Sequence, residues 1–328
     1  MSVAGPTLAA AFIKAGLVDE FALYSVPVVA GVGNPVFKGI EGQLDLEFVE
    51  ERRFPRGYGV PALCAAEQIR MTFNRADFYD AELRRHHEHF RAALHIGLKD
   101  RVLDIGCGAG QTTRDAARIA REGKVVGVDV SEELLQVARR RSSEQGLHNV
   151  AFALGDAQTK AFPAVHFDLC ISRFGAMFFF ADPAAAFANL GRAVRPGARL
   201  VLMVWQAADR NEWATAIPDA LAPGRAPANA AAFSLADPAV TTDILTQAGF
   251  ASVEFAQVHE PVFYGPNIDA AHEAVAGLFM EQGDSRSPEK EGVSQRVRAL
   301  LESHLTPDGV LFDSRAWIVT AHKPQQRA

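Results

Sequence analysis

Val102-Leu103-Asp104-Ile105-Gly106-Cys107-Gly108-Ala109-Gly110-Gln111-Thr112-Thr113 is the stretch that decides the fold of this chain. RVLDI, over 101–105, is an unbroken apolar run of the kind a strand buried on both faces shows. Glycines at alternate positions follow, and then QTTRDAARIARE predicts a helix ending at Gly123. Strand, glycine turn and helix make a cradle, because the turn backbone passes close to a bound molecule and the helix start offers it free N–H groups. The spacing is G-x-G-x-G. A dinucleotide fingerprint G-x-G-x-x-G would need glycine where Gln111 stands, so the residues downstream must identify the ligand.

Downstream the chain alternates strand and helix. KVVGVDV is a short apolar strand, and Ser131 is the expected N-cap of a helix with Glu132 and Glu133 in its first turn. That helix turns Leu134, Val137 and Ala138 inward and stops near Gly146. NVAFAL, HFDLCIS and RLVLMVW are further strands, with the helix ADPAAAFANLGRAV before Pro196-Gly197. This rhythm implies a doubly wound α/β sheet with helices on both faces. Residues 206–235, rich in Ala and Pro, read as a loop or lid. A helix (TTDILTQAG), a strand (SVEFAQV), a helical insertion over 267–304 and a last strand near RAWIVTAHK complete the chain.

Three aspartates stand at strand ends in this scheme. Asp104, just before the first glycine, can accept from loop N–H groups or meet a cationic ligand. Asp129 ends the second strand, where a carboxylate with two acceptor oxygens reaches both hydroxyls of a ribose across the strand tips. Helix capping is the competing role for Asp129, but Ser131 already fills it. Asp156, in LGDA, can accept from an exocyclic amine while the Ala157 backbone meets the ring edge; alone it reads as turn chemistry.

Taken together, VLDIGCGAG, VVGVDVS, LGDAQ and FDLCISRFGAMFFFADP resemble the class I S-adenosylmethionine-dependent methyltransferases over about residues 75–325. The resemblance implies a Rossmann-like seven-stranded sheet whose last strand is antiparallel. It places Asp104, Gly106, Gly108 and Gly110 around the methionine portion of S-adenosyl-L-methionine. Asp129 then falls at the ribose, with Val130 beside it also binding the cofactor, Asp156 and Ala157 at the adenine, and Ser172 and Arg173 near the sulfonium. It also implies methyl transfer to a small-molecule acceptor. In place of the family's tryptophan-bearing N-terminal helix stands EQIRMTFNRADFYD.

No general base is evident. His86, His87 and His89 either face the acceptor or, as the charge pattern favours, form a solvated helix face. Metal binding by them is disfavoured, since only two of the three can share a face, so no metal site is expected. Met177, Phe178, Phe179, Phe180 and Trp205 either line an apolar acceptor pocket or pack the core.

Residues 1–60 have another character. GPTLAAAFIKAGLVDEF, VPVVAGVGNPVF and LDLEFVEERRF resemble the C-terminal end of the riboflavin-biosynthesis reductase domain, which has a dihydrofolate-reductase-like fold. The piece is far shorter than such a domain, which makes it a remnant with a short α+β fold. Three parts are thus expected: the remnant over 1–60, a helical lead-in over 61–100 and the methyltransferase-like domain over 101–325. Leu8, Phe12, Phe21, Leu44, Leu46 and Phe48 of the remnant need burial, on the following helices or in a homodimer.

Bulk properties bound the rest. Across 328 residues, hydrophobic content is 48%, charged content 22% and the formal net charge −6. That balance argues against nucleic acid as the partner; Arg84-Arg85-His86-His87 and Arg139-Arg140-Arg141 read as solvated helix faces. Cys64, Cys107 and Cys170 are scattered without metal spacing, as in a reducing compartment. No apolar run reaches bilayer length and the N-terminus lacks a signal-peptide pattern, so a cytoplasmic location is expected. Two rivals remain: an S-adenosylmethionine-binding protein without turnover, and a nicotinamide-dependent reductase built on the remnant.

Overall fold

The RVLDI run forms an interior strand, third in order, of a seven-stranded sheet. The structure, a computed structural model, describes residues 20–22, 47–53, 59–64, 75–178, 182–224, 230–279 and 288–325. Two units divide the chain, Met1–Arg75 and Ala76–Ala328.

The first unit contains strands β1 (Glu20–Ala22), β2 (Glu47–Arg53) and β3 (Gly59–Cys64) in one antiparallel sheet, ordered β1-β3-β2. Residues 61–64, expected to begin a helical stretch, belong to β3. The expected helix from Leu8 and the glycine turn near residues 30–39 lie outside the described residues.

The second unit begins with helices α1 (Arg75–Glu82) and α2 (Arg84–Leu94). Next come β4 (Arg101–Ile105), α3 (Gln111–Ile119), β5 (Lys124–Asp129), α4 (Glu132–Glu144), β6 (Val150–Leu154), β7 (Phe167–Arg173), α5 (Pro183–Ala193) and β8 (Val194–Trp205). The remainder is α6 (Glu212–Leu221), α7 (Pro238–Gln247), β9 (Ala251–His259), β10 (Val262–Gly265), α8 (Ile268–Phe279), α9 (Pro288–Ser303), β11 (Leu305–Thr306), β12 (Gly309–Phe312) and β13 (Arg315–His322). The large sheet is ordered β6-β5-β4-β7-β8-β13-β9. β4 to β8 pair in parallel, and β13, last in the chain, lies antiparallel between β8 and β9. This is the expected seven-stranded arrangement.

Local chemistry explains the helix starts. Ser131 accepts from Leu134 N at the head of α4, as its sequence position implies. Asp182 and Asp237 do the same for α5 and α7, each with a proline in the first turn. In α4 the fully buried residues are Leu135 and Ala138, with Leu134 and Val137 half-buried, so the inward face is rotated by one residue from the expected one.

Two stretches depart from the sequence reading. The 206–235 region is not merely a loop, because EWATAIPDAL forms α6 and buries Ala214, Ile217 and Leu221. The 267–304 insertion brings with it a small antiparallel sheet, β10-β12-β11, whose Tyr264 and Phe312 rings meet edge to face. Its strands are too short for an alternation signal. The core of the unit lies on both faces of the sheet, with Leu103, Ile105, Leu169, Ile171, Leu200 and Leu202 at 2% exposure or less.

Candidate active site

Above the carboxyl ends of β4, β5 and β7, where the crossovers reverse direction, a cavity of about 830 Å3 opens. Such switch points are where open α/β sheets bind ligands. Its polar half is built by the loops after β4, β5 and β6; its apolar half by the tip of β7, by α6 and by the small sheet with α8.

In the polar half Asp104, Gly106, Gly108, Asp129, Val130, Asp156 and Ala157 all line the cavity, and Arg173 joins them from β7. Gly110 and Ser172 are not among the lining residues. A Cβ on Gly110 would stand 2.8 Å from Ala138 Cβ and 2.9 Å from the Phe152 ring, so this glycine lets α4 and β6 close behind the turn. The Ser172 hydroxyl donates to Ile105 O at 2.7 Å and accepts from Ala176 N at 2.9 Å, joining β4 to the β7 tip.

The turn is held open by its neighbours. Gly108 has φ +53°, and a Cβ there would meet nothing within 4 Å, so the cradle is empty on that side. Asp129 accepts from Gly108 N at 2.8 Å through one oxygen and from Ser131 N at 2.9 Å through the other. Each oxygen keeps one lone pair, and the two backbone donors fix where those pairs point. Asp156 accepts from Gln158 N in a local turn, and Ala157 O accepts from Asn189 Nδ2, which holds the β6 loop to α5. Asp104 is buried and accepts from the Thr113 hydroxyl at 2.6 Å. Burial pushes its carboxyl up to about 7 against the Thr113 hydrogen bond and Arg173.

Gly175, which the sequence reading left without a role, packs against Gly106. A Cβ on Gly175 would come 2.8 Å from Gly106 Cα and 2.8 Å from Ile105 O. Gly175→Ala is therefore expected to cost about 1–3 kcal/mol by overpacking, lowering the melting temperature by several degrees in thermal denaturation. An unchanged melting temperature would mean that the two loops separate freely.

The roof of the cavity comes from α1, which supplies Tyr79, Asp80 and Glu82. Asp80 is gripped by arginines from two elements, Arg141 of α4 at 3.2 Å and Arg173 of β7 at 3.6 Å. Arg141 also pairs with Asp77. Arg141 is 9% exposed, so the expected solvated face of Arg139-Arg140-Arg141 is corrected at this position. Arg173 continues to Gln111 Oε1 at 2.7 Å, which ties the β7 tip to the start of α3.

The histidines correct a second expectation. His86 and His87 are buried, at 0% and 6% exposure; only His89 is exposed. The buried face of α2 is His86, His87, Phe90 and Leu94, one helical stripe that runs a turn further back than its apolar members. His86 Nε2 meets Ser314 Oγ at 3.0 Å, and its ring lies edge-on to Phe174 and Trp205. Ser314 donates its proton to Glu260 O, so His86 is the donor to Ser314. Burial lowers His86 to about 3, and it stays neutral. It supports the cavity wall from behind and is not among the residues lining it.

Phe174, with φ +57°, stacks on Trp205 with ring centroids 4.0 Å apart. Trp213 of α6 continues this wall, and Met177 and Phe178, for which lining and core packing were both open, line it; Phe179 and Phe180 lie outside the described residues. Non-glycine residues adopt a left-handed backbone rarely, and such strain concentrates at ligand sites. Tyr264, Phe279 and Trp213 belong to this wall but escaped the sequence reading, because they sit on elements it did not resolve.

Glu82 was also missed. It is half-buried and lines the cavity, and its carboxyl is pushed up to about 8 by burial, against the pull of Arg173. Both Glu82 and Asp104 bind protons more tightly in the folded chain than unfolded, so their contributions are present at low pH and lost as pH rises through about 7 and 8. His86 acts oppositely, adding stability as pH rises from about 3 towards its ordinary value of 6.5. Above that value only the carboxyl effect remains. The ligand-free protein is expected to melt progressively lower from about pH 6.5 to 8.5, and Glu82→Gln should flatten the upper part of that fall. A flat profile in the unmodified protein would contradict the burial of both carboxyls.

Comparison with known proteins fits this geometry. Residues 102–197 match the family model described as methyltransferase domain, and residues 1–60 match the RibD C-terminal domain. The chain is 33% identical over 159 residues to a demethylmenaquinone methyltransferase of Symbiobacterium thermophilum, covering 45% of this chain and 63% of that protein. It is 34% identical over 174 residues to nocamycin O-methyltransferase of Saccharothrix syringae, covering 48% and 61%. The chain thus spans less than two thirds of these relatives' length. In fold it is similar to the YcgJ protein of Bacillus subtilis, with a TM-score of 0.51 at 19% identity over 73% of this chain and 99% of that one.

Proposed function

We propose that this chain, whose residues 102–197 match the family model described as methyltransferase domain, transfers a methyl group from S-adenosyl-L-methionine to a small-molecule acceptor. The observation that carries the reading is the two-part cavity: aspartates and a glycine cradle at one end, aromatic walls at the other. The cradle fits the cofactor, because among its glycines Gly106, Gly108 and Gly110 only Gly108 has open space beyond its Cβ position, on the side that a ligand would fill. Bound there, the cofactor supplies an electrophilic methyl on a sulfonium.

This chain's residues do the rest. Asp129, already aimed by Gly108 and Ser131, accepts from the ribose hydroxyls. Asp156 and Ala157 meet the adenine, with Val130 at the rim. Asp104, Gly106 and Gly108 surround the methionine portion, and Arg173 closes it towards the acceptor half. Gly110 and Ser172 serve by shaping the loops. The aromatic wall orients the acceptor and excludes water, so the reaction depends chiefly on placing nucleophile and methyl in line.

Relatives named for a demethylmenaquinone and for nocamycin point the same way, towards a small organic acceptor. The net charge of −6 fits such an acceptor better than nucleic acid. The reading includes a cytoplasmic protein, with residues 1–60 as a reductase-like remnant without reductase activity and a homodimer as its assembly. Among the described residues no helix is long and apolar enough to cross a membrane.

Mass spectrometry of ligand released from the purified protein tests the reading. S-adenosylmethionine or S-adenosylhomocysteine is expected. A nicotinamide cofactor in its place would overturn the reading in favour of a reductase.

A further inference from the structure

Besides the Trp213 Nε1–H, two polar groups in the apolar half of the cavity have no hydrogen-bond partner among the described residues. Glu82 lines the cavity, and its carboxylate accepts no hydrogen bond from any described residue. Tyr264 is 2% exposed and also lines the cavity, and its hydroxyl likewise finds no partner among the described residues. Polar groups facing an apolar cavity are nearly always hydrogen-bonded once the cavity is filled. They come from different elements, α1 and β10, yet lie close enough that the charge on Glu82 opposes ionisation of Tyr264. Around them are carbon walls: Phe174 stacked on Trp205, Trp213 beside it, and Phe279.

We propose that Glu82 takes the proton from the acceptor and Tyr264 donates a hydrogen bond to the same acceptor oxygen, so that the acceptor is a flat aromatic or enolic hydroxyl compound. This rests on the methyl-transfer reading above. The acceptor O–H bond breaks and its proton passes to the Glu82 carboxylate. The oxygen pair left behind forms the new bond to the methyl carbon, and the electron pair of the broken carbon–sulfur bond stays on sulfur. Neither an oxidant nor a further reactant is required. Glu82 as acceptor and Tyr264 as donor suit one hydroxyl oxygen, beside the unpartnered Trp213 Nε1–H of the same wall. The aromatic walls suit a planar body better than a sugar or an amino acid.

The surroundings poise Glu82 for this task. Its carboxyl, raised to about 8 by burial, lies near operating pH, where general bases are most effective. The charged and titratable groups around it are Arg173 of β7, which favours its anion, Tyr264 of β10, and Asp80 and Tyr79 of its own helix.

The test uses 1-naphthol as acceptor probe and naphthalene as its hydroxyl-free counterpart, each titrated optically into the full chain saturated with S-adenosylhomocysteine, so that nothing turns over. With protein in excess, the absorption of bound naphthol is expected to move towards that of naphtholate as pH rises from 7 to 9. Glu82→Gln should abolish this movement and leave the calorimetric affinity for S-adenosylhomocysteine within twofold. Tyr264→Phe should weaken naphthol at least fivefold and naphthalene less than twofold. The proposal is overturned if the unmodified protein ignores naphthol, if the spectral movement survives Glu82→Gln, or if Tyr264→Phe affects both probes alike. A larger loss of S-adenosylhomocysteine affinity in Glu82→Gln would assign that residue to the cofactor half and overturn it too. Failure of the unmodified protein to bind S-adenosylhomocysteine at all is a different result, and it removes the methyl-transfer reading itself.

Discussion

Gly108→Val is expected to raise the dissociation constant for S-adenosylmethionine at least a hundredfold in a chain that still folds. A Cβ at Gly108 meets no atom within 4 Å, so the branched side chain has room in the ligand-free protein. That room is the cavity. The same methyl groups would occupy space the cofactor needs, and loss of close backbone approach adds to the clash. The backbone carries a separate cost, since φ is +53° there and a β-branched residue resists it. Gly108→Ala separates the two effects: it takes on much of the backbone strain with little intrusion and should bind more tightly than the valine variant. Calorimetry with far-UV circular dichroism as the folding control reads both. Normal affinity in folded Gly108→Val would show that the glycine serves only the turn.

Asp129→Ala should weaken binding at least tenfold. The carboxylate offers the ribose two charge-assisted acceptors, worth about 1.5–3 kcal/mol each when fully used. It also holds the cradle, accepting from Gly108 N at 2.8 Å while its other oxygen accepts from Ser131 N at 2.9 Å. The alanine variant therefore loses both the ribose contact and the tether of the turn. Asp129→Asn keeps one acceptor oxygen and should lose less. Equal affinity in the alanine variant and the unmodified protein would remove the ribose assignment and leave Asp129 a turn residue.

The sheet was legible because its signals are local and strong. Buried parallel strands such as RVLDI and HFDLCIS are nearly all apolar, and Ser131 marks a helix start. The polar half of the site was legible for the same reason, since its aspartates sit at strand ends that the pattern fixes. The apolar half was not. Tyr264 lies on a four-residue strand and Trp213 on a helix containing Pro218, neither of which periodicity reveals. His86 and His87 read as surface because they are polar, yet they prolong the stripe of Phe90 and Leu94. Asp80 gains its meaning from its partners Arg141 and Arg173, and Glu82 from burial beside the Arg173 charge, all far away in sequence. Long-range pairing of that sort leaves no mark in a window of neighbouring residues.

The central claim, that the cavity holds S-adenosylmethionine, is tested most directly by titrating the full-length chain with it in a calorimeter. One-to-one binding, competed by S-adenosylhomocysteine and absent in Gly108→Val, is the expected result. No heat from S-adenosylmethionine, with saturable binding of a reduced nicotinamide cofactor by the same protein, would contradict it.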